Sequence, residues 1–407
     1  MSFTLAEARA ADAADPLRPL RERFHLPEGL VYLDGNSLGP LPKSVAARQR
    51  EVVEEEWGEE LVRSWNSRGW IGMPRRLGAR IAALIGAKTH EVLVADSTTV
   101  NLFKLLAAAA RLSDRKTLLS EAGNFHTDLY IASGVADLLG MTLDIAPRAE
   151  IEERIGADTN ALLLTHVHYK SAERFDMARI TARARDAGAT TIWDLSHSVG
   201  AVPLHLNEAG AELAVGCGYK YLNGGPGAPA FLYIAEHLQE KLVSPLRGWM
   251  GHAQPFAFTD DYKPASGIDR FLAGTPPILG LAALDAALDA FEGVTLERLW
   301  TKSIALFDVL FGLMEQKCPE FVCITPRGPE QRGSHISFSH PHAFEICQAL
   351  IAAGVIGDFR APDVIRFGLT PLYLGFEEVW HGVDRLAKIM ASESWRDPKF
   401  AVRGKVT

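Results

Sequence analysis

The chain has 407 residues, of which 47% are hydrophobic and 23% charged, and its formal net charge is −8. This length exceeds one ordinary hydrophobic core, so we predict a large domain and a smaller one. The negative charge argues against partners such as nucleic acid or an anionic membrane. The sequence shows no apolar run of about 18 residues that could span a bilayer, and its acidic N-terminal segment does not resemble a secretory signal. Small-molecule chemistry is the class of function that remains.

The number and spacing of the cysteines indicate the cellular compartment of the protein. Cys217, Cys318, Cys323 and Cys347 show no CxxC spacing and are too few to cross-link a chain of this length. We therefore expect a reducing, cytoplasmic environment.

Apolar, β-branched segments alternate with helical patterns through residues 51–280, which predicts a large α/β domain with a mostly parallel sheet flanked by helices. Strands are predicted at Glu91–Ala95, Thr117–Glu121, Ala161–Val167, Thr190–Asp194, Glu212–Cys217 and Ala230–Ile234. Helices are predicted at Thr99–Arg111 and Ala172–Ala187.

The pattern changes after about residue 280. Helices are predicted at Leu279–Phe291, Leu296–Gln316, Ala343–Ala353 and Phe376–Ala391, with a strand at His335–Ser339. We expect residues 281–407 to form a smaller α+β domain, against which residues 1–50 pack.

Two residues at the ends of neighbouring apolar segments point to a cofactor. Asp194 ends a buried strand, and Lys220 lies in the glycine-rich segment 216–227. A pyridoxal phosphate (PLP) enzyme needs this pair, because the lysine forms a Schiff base with the cofactor aldehyde and the aspartate keeps the pyridine nitrogen protonated. The alternatives are a structural salt bridge for Asp194 and a solvated position for Lys220. His197 could orient either the aspartate or the cofactor.

Polar residues follow two other predicted strands. Ser97 and Thr98 stand at the start of a helix, where phosphate could bind, although a simple N-cap is the alternative. Phe125 offers a ring for stacking on a planar cofactor, with a core position as its alternative. Thr127 and Asp128 lie at a strand's carboxyl end, where ligands of open α/β sheets bind.

A metal site is the less favoured interpretation of the next histidines. Alternation places His166 and His168 on one strand face, but no third ligand has a familiar spacing, so we predict no metal. Thr165 or His168 is expected to border the cofactor instead. Arg366 lies inside the apolar segment Val364–Gly368, which favours bidentate capture of a substrate carboxylate, with a structural ion pair as the alternative.

Several motifs together resemble those of the kynureninase family, in its bacterial type, over nearly the whole chain. They are Tyr32–Pro40, Asp194–Gly200, Tyr219–Asn223 and Gly274–Ile278. The resemblance implies the PLP-dependent transferase fold (fold type I, class V aminotransferase-like) and a homodimer with shared active sites. It also implies PLP-dependent hydrolysis of L-kynurenine to anthranilate and L-alanine, in tryptophan degradation or NAD biosynthesis.

The resemblance also implies roles for individual residues. Lys220 would be the Schiff-base lysine, Asp194 the partner of the pyridine nitrogen, and Tyr219 a proton donor acidified by phosphate contact. Cofactor contacts are implied for Ser97, Thr98, Phe125, His126, Thr127, Asp128, Thr165, His197 and Tyr219, and for Trp249 and Thr275 across the dimer interface. Substrate contacts are implied for Asn36, Ser37, Trp65 and Arg366.

Two departures and two alternatives accompany this interpretation. His126 stands where many relatives have proline, and Trp65 and Thr275 resemble the type that acts on kynurenine rather than on its 3-hydroxy form.

Another class V enzyme, such as a cysteine desulfurase or an aminotransferase, is the first alternative. A desulfurase needs an exposed thiolate, whereas the neighbours of Cys318 and Cys323 indicate core packing. A non-catalytic binding protein is the second, and it would have no need of a Schiff-base lysine.

Overall fold

The computed structural model describes residues 3–404 of the chain. In chain order its strands are β1 (Phe24–His25), β2 (Val31–Tyr32), β3 (Leu41–Pro42), β4 (Val92–Val94), β5 (Thr117–Glu121), β6 (Thr142–Ala146), β7 (Thr159–Thr165), β8 (Thr190–Asp194), β9 (Leu213–Gly216), β10 (Phe231–Ile234), β11 (Val322–Cys323), β12 (His335–Ser339), β13 (Val355–Ile356), β14 (Asp358–Arg360) and β15 (Val364–Gly368). Its α-helices are α1 (Leu5–Ala14), α2 (Lys43–Glu51), α3 (Ser64–Ser67), α4 (Met73–Ile85), α5 (Thr98–Ala109), α6 (His126–Leu139), α7 (Ile151–Arg154), α8 (Met177–Ala187), α9 (Glu236–Gln239), α10 (Ile278–Leu288), α11 (Leu296–Lys317), α12 (Ala343–Ala352) and α13 (Phe376–Ser392). A π-helix, Val52–Glu60, follows α2. Within residues 3–404, none of the helices has the length and apolar character needed to cross a membrane.

A seven-stranded sheet forms the centre of the large domain, in the order β4-β10-β9-β8-β7-β5-β6. Strands β9, β8, β7, β5 and β6 pair in parallel, and β10 pairs antiparallel with both of its neighbours. Helices cover both faces of this sheet, as the predicted α/β class requires. The fold class predicted from the sequence is therefore confirmed.

Strand β7 shows why the central strands contain unbroken apolar runs. Leu162 and Leu164 pack into the hydrophobic core shared with α4, α8 and α10. Ala161 and Leu163 point to the opposite face and pack into a second core, with α5 and α6. Because successive side chains alternate between faces, a strand buried on both sides reads as an unbroken apolar run.

The small domain contains an antiparallel sheet in the order β11-β12-β15-β14. The N-terminal segment packs on this part of the chain, since β2 pairs in parallel with β13 and Arg18 forms an ion pair with Glu378 of α13. Helix α10 spans the predicted boundary at residue 280 and packs against α2 and α4. The boundaries at residues 50 and 280 therefore stay predictions.

Most predicted bounds differ from the structure by no more than three residues, and two of the differences change an interpretation. Helix α8 begins at Met177 instead of Ala172, because Ala172 has a φ of 62° and the Asp176 side chain caps the helix at Arg179. Strand β7 ends at Thr165, so His166 and His168 lie beyond it and do not share a strand face.

Candidate active site

The carboxyl ends of the parallel strands converge at one edge of the central sheet. Thr165 ends β7 and is paired in register with Asp194, which ends β8. The chain that leaves β9 leads within a few residues to Tyr219 and Lys220. Because open α/β sheets bind ligands outside the carboxyl ends of their strands, this edge is the candidate active site.

Lys220 lies inside this site and not on a solvated surface. Its Nζ is 2.9 Å from Nε2 of His197, 5.7 Å from the centroid of the Phe125 ring and 5.8 Å from that of Tyr219. His197 is buried, and burial together with the Lys220 charge holds its pKa well below the usual range. The neutral imidazole can therefore accept a hydrogen bond from Nζ.

Two carboxyl groups lie beside Lys220. Asp194 accepts a hydrogen bond from the backbone N–H of Ser196 at 2.8 Å. Burial and the neighbouring Asp194 raise the pKa of Asp128 well above its usual range, and its Oδ1 has no hydrogen-bond partner in the described chain. A buried carboxyl pair in this state is suited to a ligand that brings a positively charged N–H group, as a protonated pyridine does.

The start of α5 offers a site for an anion. Ser97 caps the helix, because its Oγ accepts a hydrogen bond from the N–H of Val100 at 3.3 Å, so the simple N-cap is present. A cavity of about 560 Å³ adjoins it, and Ser97, Tyr219 and Thr275 are among its lining residues. The helix dipole and the free N–H groups of the first turn favour phosphate there.

Lys104, which was not predicted from the sequence as part of the site, is buried and neutralises the charge of Asp96 beside the cavity. Asp96, with a φ of 49°, lies at the cavity and forms an ion pair with Lys104, which is fully buried. Lys104 also donates a hydrogen bond to the carbonyl of Phe271 at 2.7 Å. The signal in the sequence was a single lysine inside the apolar helix α5. Its pairing keeps the Asp96 charge from opposing a phosphate.

Arg366 stands on the small domain and is almost completely buried. Its Nε donates to Oδ1 of Asp358 at 2.7 Å, its Nη2 contacts Asp358 and Ser37, and its Nη1 contacts the carbonyl of Tyr169. The structural ion pair that the sequence left as an alternative is thus present, and Asp358 is a residue that sequence reasoning missed. Beside it, the amide of Asn36 is buried and both of its polar atoms lack a partner in the described chain.

The remaining predicted residues have different surroundings. His126 is exposed and packs beside Phe125 at 4.3 Å between ring centroids, and Thr127 is half-buried. Trp65 packs edge to face against Trp70. Trp249 is 38% exposed and contacts Phe256. Thr275 lines the same cavity as Ser97, and its contact across a dimer interface, which the resemblance implies, stays a prediction.

The histidines considered for a metal site have separate partners. Nδ1 of His166 bonds Ser198 at 2.8 Å, and Nε2 of His168 bonds the carbonyl of Gly123 at 2.8 Å. Burial lowers the pKa of His168 to about 4, so this imidazole is neutral near the site. Nothing in their contacts brings the two rings together on a metal.

Tyr219 differs from expectation in its acidity. Burial, followed by the nearby Cys217 and Asp194, raises the pKa of its hydroxyl above the usual value. A phosphate dianion would disfavour the phenolate further, because like charges repel. The expectation that phosphate contact acidifies Tyr219 has the wrong sign, and the hydroxyl keeps its proton at neutral pH.

The donor set fits PLP in three respects. First, Lys220 contacts His197 beside the Phe125 ring, where it can reach a cofactor aldehyde. Second, the carboxyl groups of Asp128 and Asp194 can bind a cationic nitrogen. Third, the N-terminus of α5 adjoins a cavity that can hold a phosphate. This combination suits a ligand that carries an aldehyde, a pyridine ring and a phosphate, as PLP does.

Solved structures with the same fold come from other enzymes. A cysteine desulfurase from Thermococcus onnurineus NA1 matches with a TM-score of 0.78 and 19% identity, over 92% of this chain and 98% of the other. A structure of C-DES with glycine covalently linked to its PLP cofactor matches with a TM-score of 0.80 and 19% identity, over 90% of this chain and 98% of the other. At such identity these similarities show the fold alone.

Sequence relatives are more specific. The model of the family "Kynureninase C-terminal domain" matches residues 299–386. Kynureninases from Pseudomonas fluorescens and from Burkholderia mallei (strain SAVP1) are each 48% identical to this chain, over 99% of its length and 100% of theirs. Similarity of this extent spans nearly the whole chain, and it shows that the chain belongs to the kynureninase family.

Proposed function

We propose that this protein is a PLP-dependent hydrolase that cleaves L-kynurenine to anthranilate and L-alanine. The observation that carries the proposal is the contact of Lys220 with His197 beside the Asp194–Asp128 pair, in a chain 48% identical to kynureninases over its full length. The reaction breaks a carbon–carbon bond next to a ketone and belongs to the kynurenine pathway of tryptophan catabolism and NAD biosynthesis.

Each part of the site has a separate task. Bound PLP would supply an electron sink for the Cα of the amino-acid substrate. The Nζ of Lys220 would hold the cofactor and, once released, take the proton from Cα. Asp194 would keep the pyridine nitrogen protonated, Phe125 would pack against the ring, and Ser97 would face the phosphate, with Thr98, Thr127, Thr165 and His126 around them.

Tyr219 remains our candidate for the proton donor to the alanine product. Its raised pKa keeps the hydroxyl protonated at neutral pH, and its ring lies 5.8 Å from Nζ of Lys220. A donor must hold its proton until the carbon accepts it, and a weakly acidic phenol meets that condition.

The cysteine desulfurase alternative is not favoured. That chemistry needs a nucleophilic thiolate, but Cys318 is buried and burial raises its pKa to about 12. The pKa of Cys323 is also raised by burial. Both thiols therefore keep their protons at neutral pH.

A homodimer is the second part of the proposal. Val53, Trp57, Leu61 and Val62 expose between 42% and 75% of their surface, and we call them the 52–62 surface. A cavity of about 420 Å³ beside it is lined by Trp57, Leu279 and other apolar residues. Exposed apolar clusters of this kind mark protein interfaces, and a second copy there would lie close to the segment that carries Thr275. Trp249 and Thr275 are the residues that we propose to act across this interface, in a cytoplasmic enzyme.

The test is to purify the PLP-loaded protein and follow anthranilate fluorescence after adding L-kynurenine, with 3-hydroxykynurenine in parallel. We expect anthranilate and equimolar L-alanine, with kynurenine preferred. The Lys220→Ala variant should retain PLP only by non-covalent contacts and lose turnover. Absence of anthranilate from the yellow, PLP-loaded wild type would refute the proposed reaction, and substantial turnover by Lys220→Ala would refute the role of the lysine.

A further inference from the structure

The small-domain sheet turns a polar face toward the active site. In the pairing of β12 with β15, His335 lies opposite Gly368 and Ser337 lies opposite Arg366. Directly opposed residues point to the same side of a sheet, so His335, Ser337 and Arg366 share one face. The residues between them, Ile336 and Phe367, point the other way into the hydrophobic core.

Arg366 alone cannot hold a carboxylate through two parallel hydrogen bonds in this arrangement. A guanidinium has five N–H groups. Asp358 accepts from Nε and Nη2, Ser37 contacts the second hydrogen of Nη2, and the Tyr169 carbonyl takes one hydrogen of Nη1. One N–H of Nη1 remains, so a carboxylate bound here needs donors from other residues.

His335 is an unused donor on this face. It has no exposed surface, and neither ring nitrogen has a hydrogen-bond partner within residues 3–404. Its ring centroid is 5.4 Å from that of His197, which holds Lys220. Burial first, and then the Arg366 charge, keep the pKa of His335 well below its usual range, so the ring is neutral with one N–H to donate.

The side-chain amide of Asn36 is a second donor without a partner among the described residues, and it borders the same space as His335. Asn36 has no exposed surface, and its Oδ1 lies 2.2 Å from where a Cβ on Gly368 would stand. Gly368 is the residue opposite His335, so the Asn36 amide and the imidazole border the same space. Buried polar groups almost always have partners, and because these two border one space, a single ligand bound there can supply both.

We propose that His335 is a substrate-binding residue whose ring N–H donates a hydrogen bond to the α-carboxylate of the amino-acid substrate. The carboxylate then receives hydrogen bonds from three elements: the remaining Nη1 hydrogen of Arg366, the Asn36 amide and the His335 imidazole. This position lies between Arg366 and the Lys220–His197 pair, where the amino-acid end of a substrate must fit. The inference rests on the proposed function only for the identity of the substrate.

The test measures binding of L-alanine to the PLP-loaded protein from the change in the cofactor's absorbance. Alanine carries the α-amino and α-carboxylate groups but no aryl ketone. His335→Phe keeps a ring of similar size in the buried position and removes both nitrogens. Since a hydrogen bond to a charged group is worth roughly 1.5–3 kcal/mol, we expect the Kd for alanine to rise about 10- to 150-fold. His335→Gln, which restores an N–H donor, should recover part of the affinity.

The matched control is His340→Phe, the same exchange just beyond the other end of β12, where His340 packs against Phe321. We expect it to bind alanine as the wild type does. An unchanged Kd in His335→Phe would overturn the proposal, and so would a loss of kynurenine affinity without a loss of alanine affinity, which would assign His335 to the aryl ketone. Failure of the proposed function is seen separately, as the absence of anthranilate from the wild type.

Discussion

Asp128 and Asp194 lie together beneath Lys220, yet their substitution should have unequal effects. Burial and the neighbouring Asp194 raise the pKa of Asp128 and disfavour its ionised form, and Asp128→Asn replaces it by a neutral group of the same shape. Asp194→Asn removes the carboxylate that we assign to the pyridine nitrogen. We expect kcat/KM for anthranilate release to fall less than about 10-fold in the first variant and about 100-fold or more in the second. Equal losses would contradict this division of roles.

Asp34 should make the folded protein less stable as the pH rises. Burial and the charge of Asp358 raise its pKa to about 7, and Oδ1 has no partner in the described chain. An unfolded aspartate releases its proton near pH 4, so the folded state holds the extra proton between pH 4 and 7, and stability is lost across that window. The Asp34→Asn variant does not titrate there. In urea denaturation, its stability relative to the wild type should rise by roughly 2–3 kcal/mol from pH 5 to pH 8.

The same exchange at Asp260, which is exposed, provides the control for the Asp34 measurement. Its stability relative to the wild type should be the same at pH 5 and pH 8. A difference between Asp34→Asn and wild type that stays constant with pH would show that Asp34 is ionised throughout.

Single residues of the site differed in how far the sequence could predict them. Asp194 and Thr165 were predicted because polar residues at the ends of apolar strands are conspicuous, and parallel strands bring their carboxyl ends together. Asp128 was predicted at the end of a strand but lies in the first turn of α6, after the loop that follows β5. Asp358 and His335 were not found. Their roles depend on which residues face each other across antiparallel strands, and the register of β12, β14 and β15 is set by the whole small domain.

The buried Lys104 of helix α5 should contribute both to the stability of the fold and to the affinity for PLP. Lys104→Met should leave the Asp96 charge without its partner and the Phe271 carbonyl without its donor. We expect a loss of about 2 kcal/mol in urea denaturation, less than for a fully buried pair because Asp96 is 30% exposed. The affinity for PLP should fall as well, since the unpaired carboxylate would oppose the phosphate. The double variant Lys104→Met, Asp96→Asn should recover PLP affinity; if it does not, Asp96 is not the cause.

The bounds of strands and helices were predictable where nearly every residue of the element is buried, and less predictable where tertiary contacts determine where the element begins or ends. Strands β5 and β8 have the predicted bounds because they are apolar and central. Strand β6 was missed because it lies at the edge of the sheet and its side chains are largely half-buried or exposed. The start of α8 was placed too early, since the helical pattern alone does not reveal the bridges that Val167 and Glu173 make with Arg174 and Arg332.

At the scale of the whole molecule, the 52–62 surface should determine both assembly and activity. Val62 is 75% exposed, and burying a glutamate at this position in a dimer would cost its hydration without a partner charge. We expect Val62→Glu to shift the protein toward monomer in sedimentation velocity at micromolar concentration. Val322→Glu replaces a valine that is 64% exposed on β11 of the small domain, and it should leave the assembly unchanged. If the active sites are shared, kcat per chain in Val62→Glu will rise with protein concentration as dimers form. A stable monomer with full activity would show instead that one chain holds the complete site.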